Sequence, residues 1–290
     1  MKNLFAALLL AGCFVVSPHV YAEDAPASQS SAMPEDKAKA TYPDSSWDPA
    51  VLQFYDMGPA FLSRDLAFDM APPPANDSAE TAKDLETLRR YAATLRTPEA
   101  IELIEKENHM DTPLVSYEMA GLYSAEKNPE ADKLITAAVQ DAGYFIVGFK
   151  KKFVRVRPDF LDPDLKTVIP NPGHPAYPSG HAGQSQIVGL ILSILDEKHK
   201  DIYMAHAYAI GTRREIAGVH YPSDGVASRK LAGEILEKLM ENPEFKETLE
   251  KVKTSYVPPE ESAFEAYKPL DLSAANAQEP AETEPAAAPE

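Results

Sequence analysis

Cysteine is almost absent: Cys13 is the only one in 290 residues. It lies in an apolar N-terminal stretch, so a chain cut after Ala22 retains no thiol. Disulfides and thiolate chemistry are then excluded, and stability must come from packing alone. Cations are also scarce, 28 Lys and Arg against 45 Asp and Glu, for a formal charge of −17. That balance argues against nucleic acid or an anionic membrane surface as the general partner. An anionic ligand would have to be held by a local basic cluster working against the overall field. Long hydrophobic runs are missing beyond the N-terminus. The best candidate, Ile187 to Leu195, stops at Asp196-Glu197-Lys198 and is too short to span a bilayer. Convincing alternating strands are scarce as well.

The N-terminus reads as an export signal over residues 1–22. Lys2 supplies the positive start, Leu4 to Val16 the apolar segment, and Val20-Tyr21-Ala22 a small-residue cleavage site. A periplasmic or secreted location follows. Leu10-Ala11-Gly12-Cys13 also resembles a lipoprotein processing box, although cleavage there would leave an unusually short signal. Residues 23–45, rich in Ala, Ser, Asp, Pro and Lys, read as a disordered leader. Residues 273–290, mostly Ala, Pro and Glu, read as a solvated tail. Between them, residues 46–272 form one domain without a clear linker or internal repeat. With 44% apolar residues the chain can build a sizeable core.

Helical signals dominate that domain. Ser78 caps a predicted helix through Leu85, Leu88, Tyr91 and Leu95. Thr97-Pro98-Glu99 opens another that stops near His109, and Pro129-Glu130 opens a third through Leu134, Ile135, Ala138, Phe145 and Phe149. His181 to Leu195, Ile202 to Ile216 and Pro222 to Met240 follow the same period. The expected fold is all-α, a single-domain helical bundle.

Three clusters stand out. Lys150-Lys151-Lys152-Phe153-Val154-Arg155-Val156-Arg157-Pro158 concentrates five cations in an acidic chain. On a continuous helix, Lys150 and Arg157 would share a face, and Pro158 would end the segment. In isolation such a run is a solvated basic face. Tyr177-Pro178-Ser179-Gly180-His181 precedes an apolar helical run. Gly180 permits close backbone approach to a ligand, the helix start offers free N–H groups to an anion, and Ser179 adds a hydroxyl. The same residues also make an ordinary helix cap. In the third cluster, Arg213 to Asp224, Pro222 starts a helix and leaves His220 on the preceding turn. Asp224, in the first turn, can reach one ring nitrogen of His220, fixing its tautomer and freeing the other nitrogen to attack. A favourable charge near a helix N-terminus explains Asp224 alone, but not His220 or Arg214.

Together these clusters resemble the superfamily of type 2 phosphatidic acid phosphatases, bacterial class A acid phosphatases and vanadium haloperoxidases. The pattern is matched by Lys150 with Arg157-Pro158, by Pro178-Ser179-Gly180-His181, and by Arg214, His220 and Asp224. Pro72-Pro73-Pro74-Ala75 followed by a helix is similar to the class A acid phosphatases. One position departs: Arg213 stands where the pattern has serine. The resemblance implies an acid phosphatase acting on small phosphomonoesters, with no metal, no other cofactor and no nucleic-acid partner. Phosphotransfer to an alcohol and a homo-oligomeric assembly are further implications. In the roles so implied, Lys150, Arg157, Arg214, Ser179 and Gly180 bind phosphate. His220, oriented by Asp224, forms a phosphohistidine, and His181 is the acid and then the base.

Other residues read more plainly. His174 either lines the entrance or has no role; His109, His199 and His206 read as surface or helix residues. Trp47 and Tyr55 read as packing residues, and Lys151, Lys152 and Arg155 as a broadening of the positive patch. Three rival functions use the same residues. A vanadate-dependent haloperoxidase would hold vanadium on His220. A lipid or pyrophosphate phosphatase would need membrane access, and a non-catalytic anion binder would need no nucleophile.

Overall fold

Proline and capping side chains decide where the helices begin. The computed structural model describes residues 37–277. The chain runs through α1 (Pro49–Met57), α2 (Ala79–Thr94), α3 (Pro98–Asn108), α4 (Leu114–Met119), α5 (Pro129–Phe153) and α6 (Pro158–Leu161). It continues through α7 (Gly180–Leu195), α8 (Lys200–Ile216), α9 (Pro222–Glu241), α10 (Pro243–Ser255), α11 (Glu261–Ala266) and α12 (Ser273–Asn276). The fold is all-α, with no strand among the described residues. Proline opens α1, α3, α5, α6, α9 and α10, where its missing N–H leaves no helix bond unmade. Ser78, Thr97 and Ser179 cap α2, α3 and α7 with their hydroxyls.

Helix α7 is the hydrophobic axis, packed against α5, α8 and α9. Its Ile187, Val188, Ile191 and Leu192 are wholly buried, each contributing roughly 1.5–3 kcal/mol of burial energy. Gly183 makes the close approach possible, because a Cβ there would run into Ser228 of α9 and Ile146 of α5. Among the described residues, no helix is long and apolar enough to cross a membrane.

Three sequence expectations need correction. Residues 37–45 are not an unstructured leader: they hold short 3-10 turns at Lys37–Lys39 and Asp44–Ser46. Tyr42 N–H donates to the Val154 carbonyl (2.7 Å), and the Asn76 amide donates to the carbonyls of Lys37 and Ala40. The domain also extends past residue 272, since α12 buries Ala275 completely against Tyr91, Leu95 and Ile104. Finally, α5 ends at Phe153 rather than at Pro158, and Val154 adopts a left-handed conformation (φ 44°). A β-branched residue pays steric strain in that region, so tertiary contacts must hold it there. Pro158 begins α6 instead of closing α5. The predicted export signal, Cys13 and the end of the acidic tail lie outside the described residues.

Candidate active site

The N-terminus of α9 supplies the first fixed point. Asp224, fully buried, accepts the Tyr221 N–H on Oδ2 (3.0 Å) and so closes the first turn. The same oxygen faces Nδ1 of His220 at 3.0 Å, while Oδ1 accepts Arg155 Nη1 at 2.7 Å. On its other side, His220 Nε2 lies 3.1 Å from Nη1 of Arg157. A guanidinium can only donate, so Nε2 is the unprotonated nitrogen and Nδ1 carries the hydrogen given to Asp224. The tautomer is thereby set, with a lone pair directed at the cations.

Arg157 leaves the α5–α6 connection fully buried. Its Nη1 also donates to the Val219 carbonyl (2.5 Å), and its Nη2 donates to the His174 carbonyl (2.8 Å) and faces His174 Nδ1 (3.1 Å). Lys150, in the last turn of α5, donates to the carbonyls of Pro175 (2.7 Å) and Ala176 (3.2 Å). Arg214, near the end of α8, donates from Nη2 to Asn108 Oδ1 (3.2 Å); its Nε and Nη1 are buried without a partner among the described residues. Buried N–H donors are rarely left unmade, so these two point to an anionic ligand. Burial pushes Arg157 down to about 10 and Arg214 to about 9, and burial with the neighbouring arginines holds Lys150 well below its usual range. The buried Asp224 opposes the shift at Lys150 and Arg157, but burial outweighs it.

The start of α7 closes the site. Ser179 N–H donates to the Asp224 carbonyl (3.1 Å), and Ser228 donates its hydroxyl to the Ser179 carbonyl (2.6 Å), tying the α7 and α9 termini together. A Cβ on Gly180 would meet only Gln184, at 3.8 Å. Protein packing therefore does not require glycine there, whereas close approach of a ligand to the backbone would. His181 follows in the first turn. Burial, then Arg214, Lys150 and Arg157, hold it well below 6.5; burial and the same cations do so for His220. Burial and the cations thus disfavour the charged form of both imidazoles.

The residues predicted from the three clusters thus converge on one place. Lys150 and Arg157 meet across the break that follows Phe153, not along one helix face. Some contributors were missed. Arg155, read as a mere broadening of the patch, is 3% exposed and binds Asp224, Ser223 (2.8 Å) and Thr81 (3.2 Å), with Asp84 at 3.5 Å. His174 stands against Arg157. His206 is buried, its Nε2 3.0 Å from the Ser116 hydroxyl, and His199 is wedged between Asp196 and the Phe264 ring. Only the cation spacing in the sequence hinted at Arg155; its partners come from α2 and α9. Tyr55 and Trp47 do pack, on Tyr144 and Tyr42.

Residues 134–236, which contain every one of these cluster residues, match the sequence profile of the PAP2 superfamily. Those residues make a PAP2-superfamily domain. It is 29% identical over 208 residues to a non-specific acid phosphatase of Providencia stuartii, covering 68% of this chain and 84% of that protein. A non-specific acid phosphatase of Salmonella typhi is 25% identical over 200 residues, 64% of this chain and 78% of the relative. A lipid A 1-phosphatase of Rhizobium etli is 33% identical over 88 residues, 29% of this chain and 38% of the relative. A solved bacterial vanadium-dependent iodoperoxidase superposes with a TM-score of 0.46 at 19% identity, over 59% of this chain and 52% of that one. Within the PAP2 domain, the cluster that resembles its signature is the same cluster that the tertiary structure assembles around Arg214 and His220.

Proposed function

We propose that this acid phosphatase is exported through residues 1–22 to the periplasm and hydrolyses small phosphomonoesters through a phosphohistidine on His220, without a metal ion. One observation carries the reading: a neutral His220 presents an unprotonated Nε2 among three buried cations that lack a free anion. Simple anion binding needs the cations but not an imidazole whose tautomer is held by a buried carboxylate.

The mechanism follows from charge. A phosphate ester entering the cradle accepts from Arg214, Lys150, Ser179 and the N-terminus of α7, and draws the Arg157 fork away from Nε2. Its negative charge reverses the field that held the histidines neutral, favouring a proton on His181. The Nε2 lone pair attacks phosphorus as the bond to the ester oxygen breaks, and His181 gives its proton to that oxygen. His181, now neutral, takes a proton from water; the water oxygen attacks phosphorus, the P–N bond breaks, and phosphate leaves. An alcohol in place of water would give phosphotransfer. The cations and helix end neutralise the oxygens, the work a metal does elsewhere.

The test is hydrolysis of p-nitrophenyl phosphate at pH 5–6 with EDTA present, beside His220→Ala and with added vanadate. EDTA-resistant, vanadate-sensitive turnover that the variant loses, with alkali-stable phosphate trapped on the wild type, is the expected result. A folded wild type that leaves the ester intact would sink the proposal, and so would a His220→Ala variant of undiminished activity.

A further inference from the structure

Arg213, which replaces the serine of the pattern, has a partner outside the three clusters. Its guanidinium, 6% exposed, grips Glu107 in a fork, Nε to Oε2 at 2.7 Å and Nη2 to Oε1 at 2.5 Å. Glu107 is 1% exposed and also accepts the Ser116 hydroxyl at 2.6 Å. That hydroxyl has one hydrogen, so the His206 Nε2 behind it is a donor, and the chain His206–Ser116–Glu107–Arg213 is complete. Such a buried pair is costly to desolvate and needs this many partners to hold.

Its position gives it more than a structural consequence. Glu107 is the penultimate residue of α3, and the next residue, Asn108, accepts from Arg214. Glu107 and His181 also line one small cavity of about 50 Å³, together with Met110, Ser116 and Gln184. From the wall of that cavity the Glu107 main chain favours the protonated form of His181, against burial and the three nearby cations. The end of a helix, with its free carbonyls, suits that purpose. We propose that the Arg213–Glu107 ion pair is a positioning device that docks the end of α3 on α8, so that Asn108 orients Arg214 and the Glu107 main chain steadies His181 as proton donor to the leaving group. The inference rests on the acid phosphatase reading above. It makes Arg213 and Glu107 positioning residues, since neither touches the phosphate.

Leaving groups of different basicity separate this role from a merely structural one. Departure of p-nitrophenolate needs little protonation, whereas an alkoxide needs it fully, and kcat/KM reports the steps through that departure. In Arg213→Ser and in Glu107→Gln, kcat/KM for glycerol 2-phosphate should fall about tenfold further than for p-nitrophenyl phosphate. The double variant Arg213→Ser/Glu107→Ala leaves no buried charge unpaired and should melt closer to wild type than Arg213→Ser does, while keeping the altered substrate ratio. Arg213→Lys, which keeps charge without the fork, should fall between. Equal losses on both esters, or a double variant that regains the wild-type ratio along with its stability, would overturn the positioning role. Wild-type protein inactive on both esters would overturn the phosphatase reading itself, a result the ratio cannot mimic.

Discussion

Asp224 meets three donors at once: the Tyr221 N–H, Nδ1 of His220 and Nη1 of Arg155. A carboxylate serves all three because every lone pair accepts. An asparagine has one accepting oxygen and an NH2 that must face one of those donors. In Asp224→Asn the amide conflicts with Arg155 or with His220, and in the second case the His220 proton is driven to Nε2, where it blocks attack. We expect kcat to fall on the order of 10³–10⁴-fold with KM little changed, because the cradle cations remain. Steady-state kinetics on p-nitrophenyl phosphate check this, and near-normal turnover would remove the tautomer argument. The His220–Asp224 relation was legible in the sequence because it spans a single helical turn. The buried state of His206 was not, because its partner Ser116 stands 90 residues away.

At the scale of elements, Arg155 is a cross-tie. From the connection after α5 it reaches Asp224 and Ser223 on α9 and Thr81 and Asp84 on α2, and its guanidinium lies over the Tyr221 ring at 3.8 Å. Arg155→Met keeps much of the volume but takes the cation from the buried Asp224 and the half-buried Asp84, at a cost of about 3 kcal/mol. A lowered urea midpoint together with reduced turnover is the expected outcome; unchanged stability would show that the ties to α2 and α9 carry little energy. Helix starts were readable because prolines and capping hydroxyls act locally. The end of α5 was not, since no glycine marks it. Val154 is held left-handed by the Tyr42 N–H on its carbonyl, and the next residue is held by the Ala176 N–H on the Arg155 carbonyl.

For the whole molecule, stability depends on pH through Glu215, 4% exposed near the end of α8. Burial raises its pKa from 4.5 to about 8, Asp224 and Asp84 adding to the rise and Arg229 opposing it. A carboxyl raised on folding contributes stability that is full below its unfolded pKa of 4.5 and is lost as pH climbs through about 8. The fold should therefore weaken from pH 5 to 8 by an amount on the order of a few kcal/mol from this group. Glu215→Gln, which mimics the protonated acid, should flatten the dependence in urea unfolding across that range. A variant curve parallel to wild type would remove Glu215 as the cause.

The sequence alone determined the all-α class, most helix starts and the three clusters, because each rests on interactions within one turn or one cap. It also carried the internal spacings that resemble the superfamily. Tertiary structure decided which solvated-looking charges are buried: Arg155, Arg213 and Glu107 find their partners on helices far away in the chain. It broke the Lys150–Arg157 run at Val154, brought residues 37–45 and Ala275 into the folded domain, and left two donors of Arg214 unmatched among the described residues. Desolvation is the reason. A charge costs little on a surface and much in a core, and only the packed chain determines which of the two it occupies.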